Sequence, residues 1–194
     1  LAGACILTYF EKGDEILYFN SIHTPFFNWF FLLLTKLAEV PVVFFVITLT
    51  LRVSYGKGLM LGANSLLVFL VTTFLKSVVF ANEVRPSVFF EGKTQLNFIN
   101  EAARYHSFPS GHTSSAFALF FMLSILTENK KWGVFYFVIA LLIGVSRVYL
   151  MQHFFRDVYA GSFVAVLFTT LFYLTFVRSK FYNNLPWKDK ALFK

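Results

Sequence analysis

Two histidines, three cationic side chains and one carboxylate hold the chemistry of this chain. His153 and Asp157 stand four residues apart, so on a helix they share a face. A carboxylate there can accept from one imidazole nitrogen and make the other more nucleophilic or basic. The pair also reads as a plain charge pair at a helix start, with Arg156 competing for Asp157. The second histidine, His112, closes the tetrapeptide Pro109-Ser110-Gly111-His112, which ends a polar loop and opens an apolar run. That junction reads as a helix start: Ser110 can cap, and Gly111 lets backbone approach a ligand. The first turn of a helix has unpaired N–H groups and the positive end of the macrodipole, a natural seat for a phosphate oxygen. Lys76, Arg85 and Arg147 add three positive charges, suited to a dianionic phosphate. No carboxylate cluster is available to hold magnesium. The cations must then do the work a metal does elsewhere, and neither metal nor cofactor is expected.

The elements that position these residues follow from composition. The chain has 194 residues, 57% hydrophobic, with 28 Phe, and a mean hydropathy of +0.65. These values belong to the polytopic membrane class. An open sheet edge cannot be satisfied in lipid, so the fold class is all-α, a membrane helix bundle. One domain is expected over residues 1–194, ending in a basic tail at 178–194. The lone Cys5 excludes an intrachain disulfide and any multi-cysteine metal site. About six spans are expected. They are the end of one at 1–10, then runs at 41–50, 58–80, 112–127, 132–150 and 158–177. Crossing the hydrocarbon takes roughly 20 residues, so the run at 41–50 must borrow length from its flanks. The chain opens at Leu1 and its first apolar run is short, so part of the first span is expected to lie upstream. Between the first two spans, Thr24 caps and Pro25 begins an interfacial helix over 25–37, dense in Phe. Lys76 lies inside a span, where a lysine costs about 2.5–3.5 kcal/mol at the centre and marks function, unless it snorkels to the span end. The loop 81–108 is longer than connections usually are, which favours a functional loop. Its Phe89 and Phe90 are expected either to line a headgroup pocket or to anchor the loop at the interface. Its other cations, Lys93, Arg104 and His106, could reach a second phosphate or a glycerol, and none of them is singled out.

Orientation comes from charge. The segment 52–57, the segment 128–131 and the tail together hold nine basic residues against Glu128 and Asp189; the rest of the chain is balanced. The positive-inside rule places those segments in the cytoplasm and all three polar clusters on the other side. That placement at span ends also argues against nucleic acid as the partner of the chain's +7 charge.

With these residues in view, the chain resembles the type 2 phosphatidic acid phosphatase superfamily, which shares its core with vanadium haloperoxidases. Pro109-Ser110-Gly111-His112 matches its second motif. Ser146-Arg147, His153 and Asp157 match its third at full spacing. The first motif departs: eight residues separate Lys76 from Arg85 where six are usual, so the turn after the helix is expected to be longer. The resemblance implies a metal-independent lipid phosphatase working through a phosphohistidine. His153 would be the nucleophile, Asp157 its orienting carboxylate and His112 the acid. Lys76, Arg85, Ser110, Gly111 and Arg147 would hold the phosphoryl oxygens. It implies a lipid phosphate or diphosphate substrate drawn from the bilayer: undecaprenyl diphosphate, phosphatidylglycerol phosphate, phosphatidic acid or a lipid A phosphate. The compact chain suits a bacterial inner-membrane protein with an extracytoplasmic site.

The rival class is a transporter or channel, but the charges gather at one face instead of running through the bundle. A structural membrane protein does not explain two histidines at motif spacing. A metal site on His106, His112, His153 and Asp157 would be repelled by the nearby arginines. A haloperoxidase would hold vanadate at the same residues, yet such enzymes are typically soluble. If the orientation is right, a tag after Lys194 in sealed vesicles is reached by protease only from the cytoplasmic face; cleavage from outside alone would reverse the assignment.

Overall fold

The computed structural model describes residues 11–99 and 103–191, so the apolar run at 1–10 lies outside the described residues. The described residues are helical, with no strand among them. In chain order the helices are α1 (Asp14–Ser21), α2 (Pro25–Lys36), α3 (Val40–Val53) and α4 (Tyr55–Phe74), which runs on as a π-helix over Leu75–Val79. Then come α5 (Pro86–Phe89), α6 (Gly111–Leu126), α7 (Lys130–Tyr149), α8 (Phe155–Arg178) and α9 (Lys180–Asn183).

Among the described residues three helices are long and apolar enough to cross a membrane: Tyr55–Val79, Lys130–Tyr149 and Phe155–Arg178. A fourth crossing is possible if α2 and α3, bent by 54° at their junction, form one broken span. The described residues do not confirm the expected count of six. Thr24 caps α2 as expected, its hydroxyl accepting from Phe27 N at 3.3 Å. The chain then bends after Lys36 and re-enters helix at Val40, one residue ahead of Pro41.

The 16-residue apolar helix α6 is the most enclosed of the described helices. Thr113, Ser114, Ala116, Phe117, Ala118, Leu119, Phe120 and Met122 of α6 are all buried. A helix that is apolar all round belongs inside a bundle, and α6 packs against α4, α7 and α8. Leu61 and Val68 of α4, Ala140 and Ile143 of α7 and Ala165 of α8 complete that core. Small residues let the axes approach. At Gly161 an added Cβ would lie 2.7 Å from the Ser110 carbonyl oxygen, so α8 can pass this close to the start of α6 only with hydrogen there.

Topology then does the positioning. The chain runs along α4, returns through α6, goes back along α7 and returns again through α8. The C-terminal ends of α4 and α7 thus meet the N-terminal ends of α6 and α8 at one end of the bundle. The other end is tied by the tail, where Tyr55 N and Gly56 N donate to Lys190 O and Lys188 O at 3.0 and 2.8 Å.

Phe89 and Phe90 pack with Ile16, Leu96, Val148, Met151, Phe154 and Val158 into a second core beneath the loop. Gly13, at φ 109°, lies under the Phe90 ring where a Cβ would clash at 2.7 Å. The long loop is thus held down by its own aromatics.

Gly161→Ala should lower stability by about 1–3 kcal/mol, the usual cost of overpacking a filled core. The check is thermal unfolding in detergent; an unchanged Tm would show that α6 and α8 do not meet there.

Candidate active site

The four converging helix ends bring the sequence-nominated residues together. Asp157, in the first turn of α8, is fully buried. Its Oδ2 accepts from Phe154 N at 3.1 Å and from Ser107 Oγ at 2.5 Å. His153, 1% exposed, presents Nδ1 to the same oxygen at 3.5 Å and to Ser107 Oγ at 3.5 Å. The carboxylate therefore reaches the imidazole at long range, with the serine hydroxyl beside both. Arg156, the expected competitor, contributes little: its Nε stands 3.5 Å from Asp157 Oδ1, and its guanidinium is drawn into a close ion pair with Glu83.

Arg147 lies in the last turn of α7 and is 5% exposed. One guanidinium nitrogen donates to Thr35 Oγ1 at 2.8 Å, while Nε has no hydrogen-bond partner among the described residues. Its carbonyl accepts from His153 N at 3.2 Å, which fixes the turn carrying the imidazole. Arg85 directs one nitrogen at the Gln152 carbonyl, 3.1 Å away, and Nε at the Tyr105 carbonyl, 3.2 Å away. These backbone bonds fix its guanidinium next to His153. Outside the membrane-spanning helices, burial and the positive charges of Arg85, Arg147, Lys76 and His112 hold the His153 imidazole well below its ordinary pKa. Burial likewise lowers Arg85, partly offset by Asp157. An imidazole so depressed is neutral, the form a nucleophile needs.

Lys76 lies in the π-helical turn, where Phe80 N donates to Leu75 O at 2.8 Å across five residues. Its Nζ is 3.7 Å from the position a Cβ would take on Gly111. The longer Lys76–Arg85 separation is therefore not all in the turn after the helix, because the helix itself widens at Lys76. Such π segments recur at functional sites. The wider turn also leaves Lys76 O within 3.3 Å of His106 Nδ1.

Ser110 occupies the N-cap position of α6, but its side chain does not cap. Its hydroxyl accepts from Thr113 Oγ1 at 2.9 Å, its N–H donates to the Asp157 carbonyl at 2.9 Å, and it is wholly buried. The first amides of α6, on Gly111 and His112, have no carbonyl within the helix to accept them. Lys76, Gly111 and His112 line one cavity of about 330 Å³. Among the described residues no group of three or more His, Cys, Asp or Glu gathers at metal-binding distance. Lys93 and Arg104 stay apart from the site, the first over the Phe89 ring at 4.4 Å and the second paired with Glu91 at the surface.

Ser107 is the residue that sequence reasoning missed. It is fully buried, and its N–H donates to the Glu83 carbonyl at 3.0 Å. One serine in a polar loop gives no signal of its own; its place two residues before the tetrapeptide is the only clue.

The family model described as the PAP2 superfamily matches residues 57–181. A lipid A 4'-phosphatase of Bacteroides thetaiotaomicron is 26% identical over 167 residues, 81% of this chain and 73% of that one. An undecaprenyl-diphosphatase, BcrC of Bacillus subtilis, is 35% identical over 104 residues, 54% of this chain and 50% of that one. Across the curated relatives it matches, the chain spans from 31% to 73% of their length. The crystal structure of LpxE from Aquifex aeolicus superposes with a TM-score of 0.77 at 24% identity, covering 86% of this chain and 98% of that one, and so shares its fold.

Ser107→Ala should leave Asp157 with one donor fewer and His153 less well oriented. The expected result is a fall in kcat with KM little changed, and partial rescue by Ser107→Thr. An unchanged kcat would remove Ser107 from the site.

Proposed function

The chain belongs to the PAP2 superfamily, and we propose that it is an integral membrane lipid phosphatase, hydrolysing a phosphate monoester or diphosphate of a membrane lipid through a phosphohistidine, without metal. The observation that carries this reading is the buried His153, steered through Nδ1 by Asp157 and Ser107 and set beside Arg85 and Arg147.

The chemistry runs as follows. The phosphoryl oxygens take hydrogen bonds and charge from Lys76, Arg85 and Arg147, with the Gly111 amide at the start of α6. Ser110 contributes by fixing that helix start against Asp157 O. Nε2 of His153 attacks phosphorus, forming the N–P bond as the P–O bond to the lipid breaks. His112 gives its proton to the departing oxygen. A water then attacks the phosphohistidine, His112 taking its proton, and phosphate leaves as His153 regains its lone pair. Asp157 stabilises the positive charge that builds on the His153 ring. Cations aimed at developing charge in a site closed to water account for much of the acceleration that a metal would otherwise give.

The membrane-length helices support a lipid substrate over a soluble one. So does an apolar groove of about 460 Å³ that shares Ala38, Val40, Phe69 and Ser115 with the cavity at His112. The positive-inside asymmetry supports a cell-membrane protein with this end of the bundle outside the cytoplasm. A transporter reading has less support, because the buried charges lie at one end and do not line a path.

The test is phosphate release from lipid phosphates in detergent. His153→Ala should abolish turnover. His112→Ala should slow it by about 10²–10⁴-fold, the usual worth of general acid help. EDTA should leave activity intact. Turnover retained by a folded His153→Ala protein, or full loss to EDTA restored by magnesium, would overturn the reading.

A further inference from the structure

Helix α2 touches the site from outside the four helices that converge on it. Its buried residues are Phe31 and Thr35. Asn28, Phe31 and Thr35 follow the spacing of a single helix stripe, and each meets the last turn of α7. Tyr149 Oη donates to Asn28 Oδ1 at 2.7 Å. The Phe31 and Tyr149 rings lie 4.5 Å apart between centroids. Arg147 donates to Thr35 Oγ1 at 2.8 Å. This face of α2 is therefore a brace on the turn that carries Arg147, and the phosphate chemistry above gives it no part.

The Arg147 contact is chemically particular. Threonines within helices commonly return their hydroxyl to the carbonyl four residues back, as Thr48, Thr50, Thr170 and Thr175 do here at 2.7–2.9 Å. Thr35 differs, because its Oγ1 accepts from an arginine on another helix. Both side chains are buried, where a hydrogen bond is stronger than in water. Buried arginines are usually paired with a carboxylate, yet among the described residues no carboxylate forms an ion pair with Arg147. A carboxylate here would cancel the charge and compete with an anionic substrate. A hydroxyl accepts the bond and stays neutral, so it fixes the guanidinium and leaves the positive charge in place. Branching at Cβ stiffens the threonine side chain, so the acceptor is itself held. The charge is felt at the reacting centre: Arg147 is among the groups that hold the His153 imidazole below its ordinary pKa.

We propose that Thr35 is a positioning residue for phosphoryl binding: it sets the direction of the Arg147 guanidinium without neutralising it, which makes α2 a functional part of the site. The inference rests on the phosphatase reading above. A long side chain that must be ordered at each binding event weakens the hold on a ligand, and one already pinned does not. Arg147 takes the phosphoryl oxygens whatever lipid carries them, so Thr35 acts on every substrate alike.

The test uses the full chain in detergent. Phosphatidic acid, phosphatidylglycerol phosphate, a lipid A phosphate and undecaprenyl diphosphate serve as substrates, and inorganic vanadate as a phosphoryl mimic. Thr35→Val keeps the shape of the side chain and removes the acceptor. It should raise the inhibition constant for vanadate by about tenfold, the scale of one hydrogen bond to a charged group. kcat/KM should fall by a similar factor on each lipid that is turned over. Thr35→Ser restores the acceptor and should recover most of both losses. An inhibition constant does not depend on how much of the sample is folded, so a Thr35→Val protein that folds poorly still reports on the site. An unchanged inhibition constant in Thr35→Val, or a Thr35→Ser protein as impaired as Thr35→Val, would overturn the positioning role alone. Release of phosphate from none of the lipids by the unaltered protein would overturn the phosphatase reading and this role with it.

Discussion

Positive charge buried at one end of an apolar bundle is the constraint on which the rest depends. Arg147 is almost fully enclosed, Lys76 stands at the α6 start, and Arg85 is held beside His153. The nearby carboxylate, Asp157, has its Oδ2 committed to Ser107, Phe154 N and His153. Removing charges from water costs several kcal/mol per ion unless they are paired or well hydrogen-bonded. The helix ends offset part of that cost. Lys76 and Arg147 occupy the C-terminal turns of α4 with its π extension and of α7, where the backbone carbonyls favour cations. The N-terminal ends of α6 and α8 favour negative charge, and Asp157 sits at one of them. Each such term is worth about 0.3–1 kcal/mol, so together they are too small to balance three cations. On the proposed reading a phosphate dianion would balance them, and the charge that is costly to bury would be what binds the substrate.

The antiparallel order of α4, α6, α7 and α8 is what allows this. Residues from four separate helices reach one place only because alternate helices run in opposite directions. Gly161 then lets α8 close on Ser110, so that the Asp157 carbonyl takes the Ser110 amide and the two helix starts are locked together. Orientation of His153 follows from backbone bonds to Arg147 O and from the Asp157–Ser107 pair, and none of this needs the long loop to move.

Much of this was legible in the residues because charge and imidazole are conspicuous in an apolar chain. Lys76, His112, Arg147 and the His153–Asp157 spacing stand out for that reason alone. What stayed hidden lacked such contrast. Ser107 is a small polar residue in a polar loop, and only packing against Asp157 reveals it. Phe89 and Phe90 look the same by composition whether they face lipid, a pocket or a core, and Gly13 under the ring decides which. The π turn at Lys76 depends on a hydrogen bond across five residues, which no periodicity announces.

The account stands on His153 accepting the phosphoryl group. The most direct measurement is to quench the enzyme in alkali during turnover of a lipid phosphate and to map the phosphorylated peptide by mass spectrometry. The account predicts an acid-labile, alkali-stable phosphate on His153, absent from the His153→Ala protein. Phosphate found on another side chain, or a presteady-state burst with no covalent phosphate at all, would contradict it.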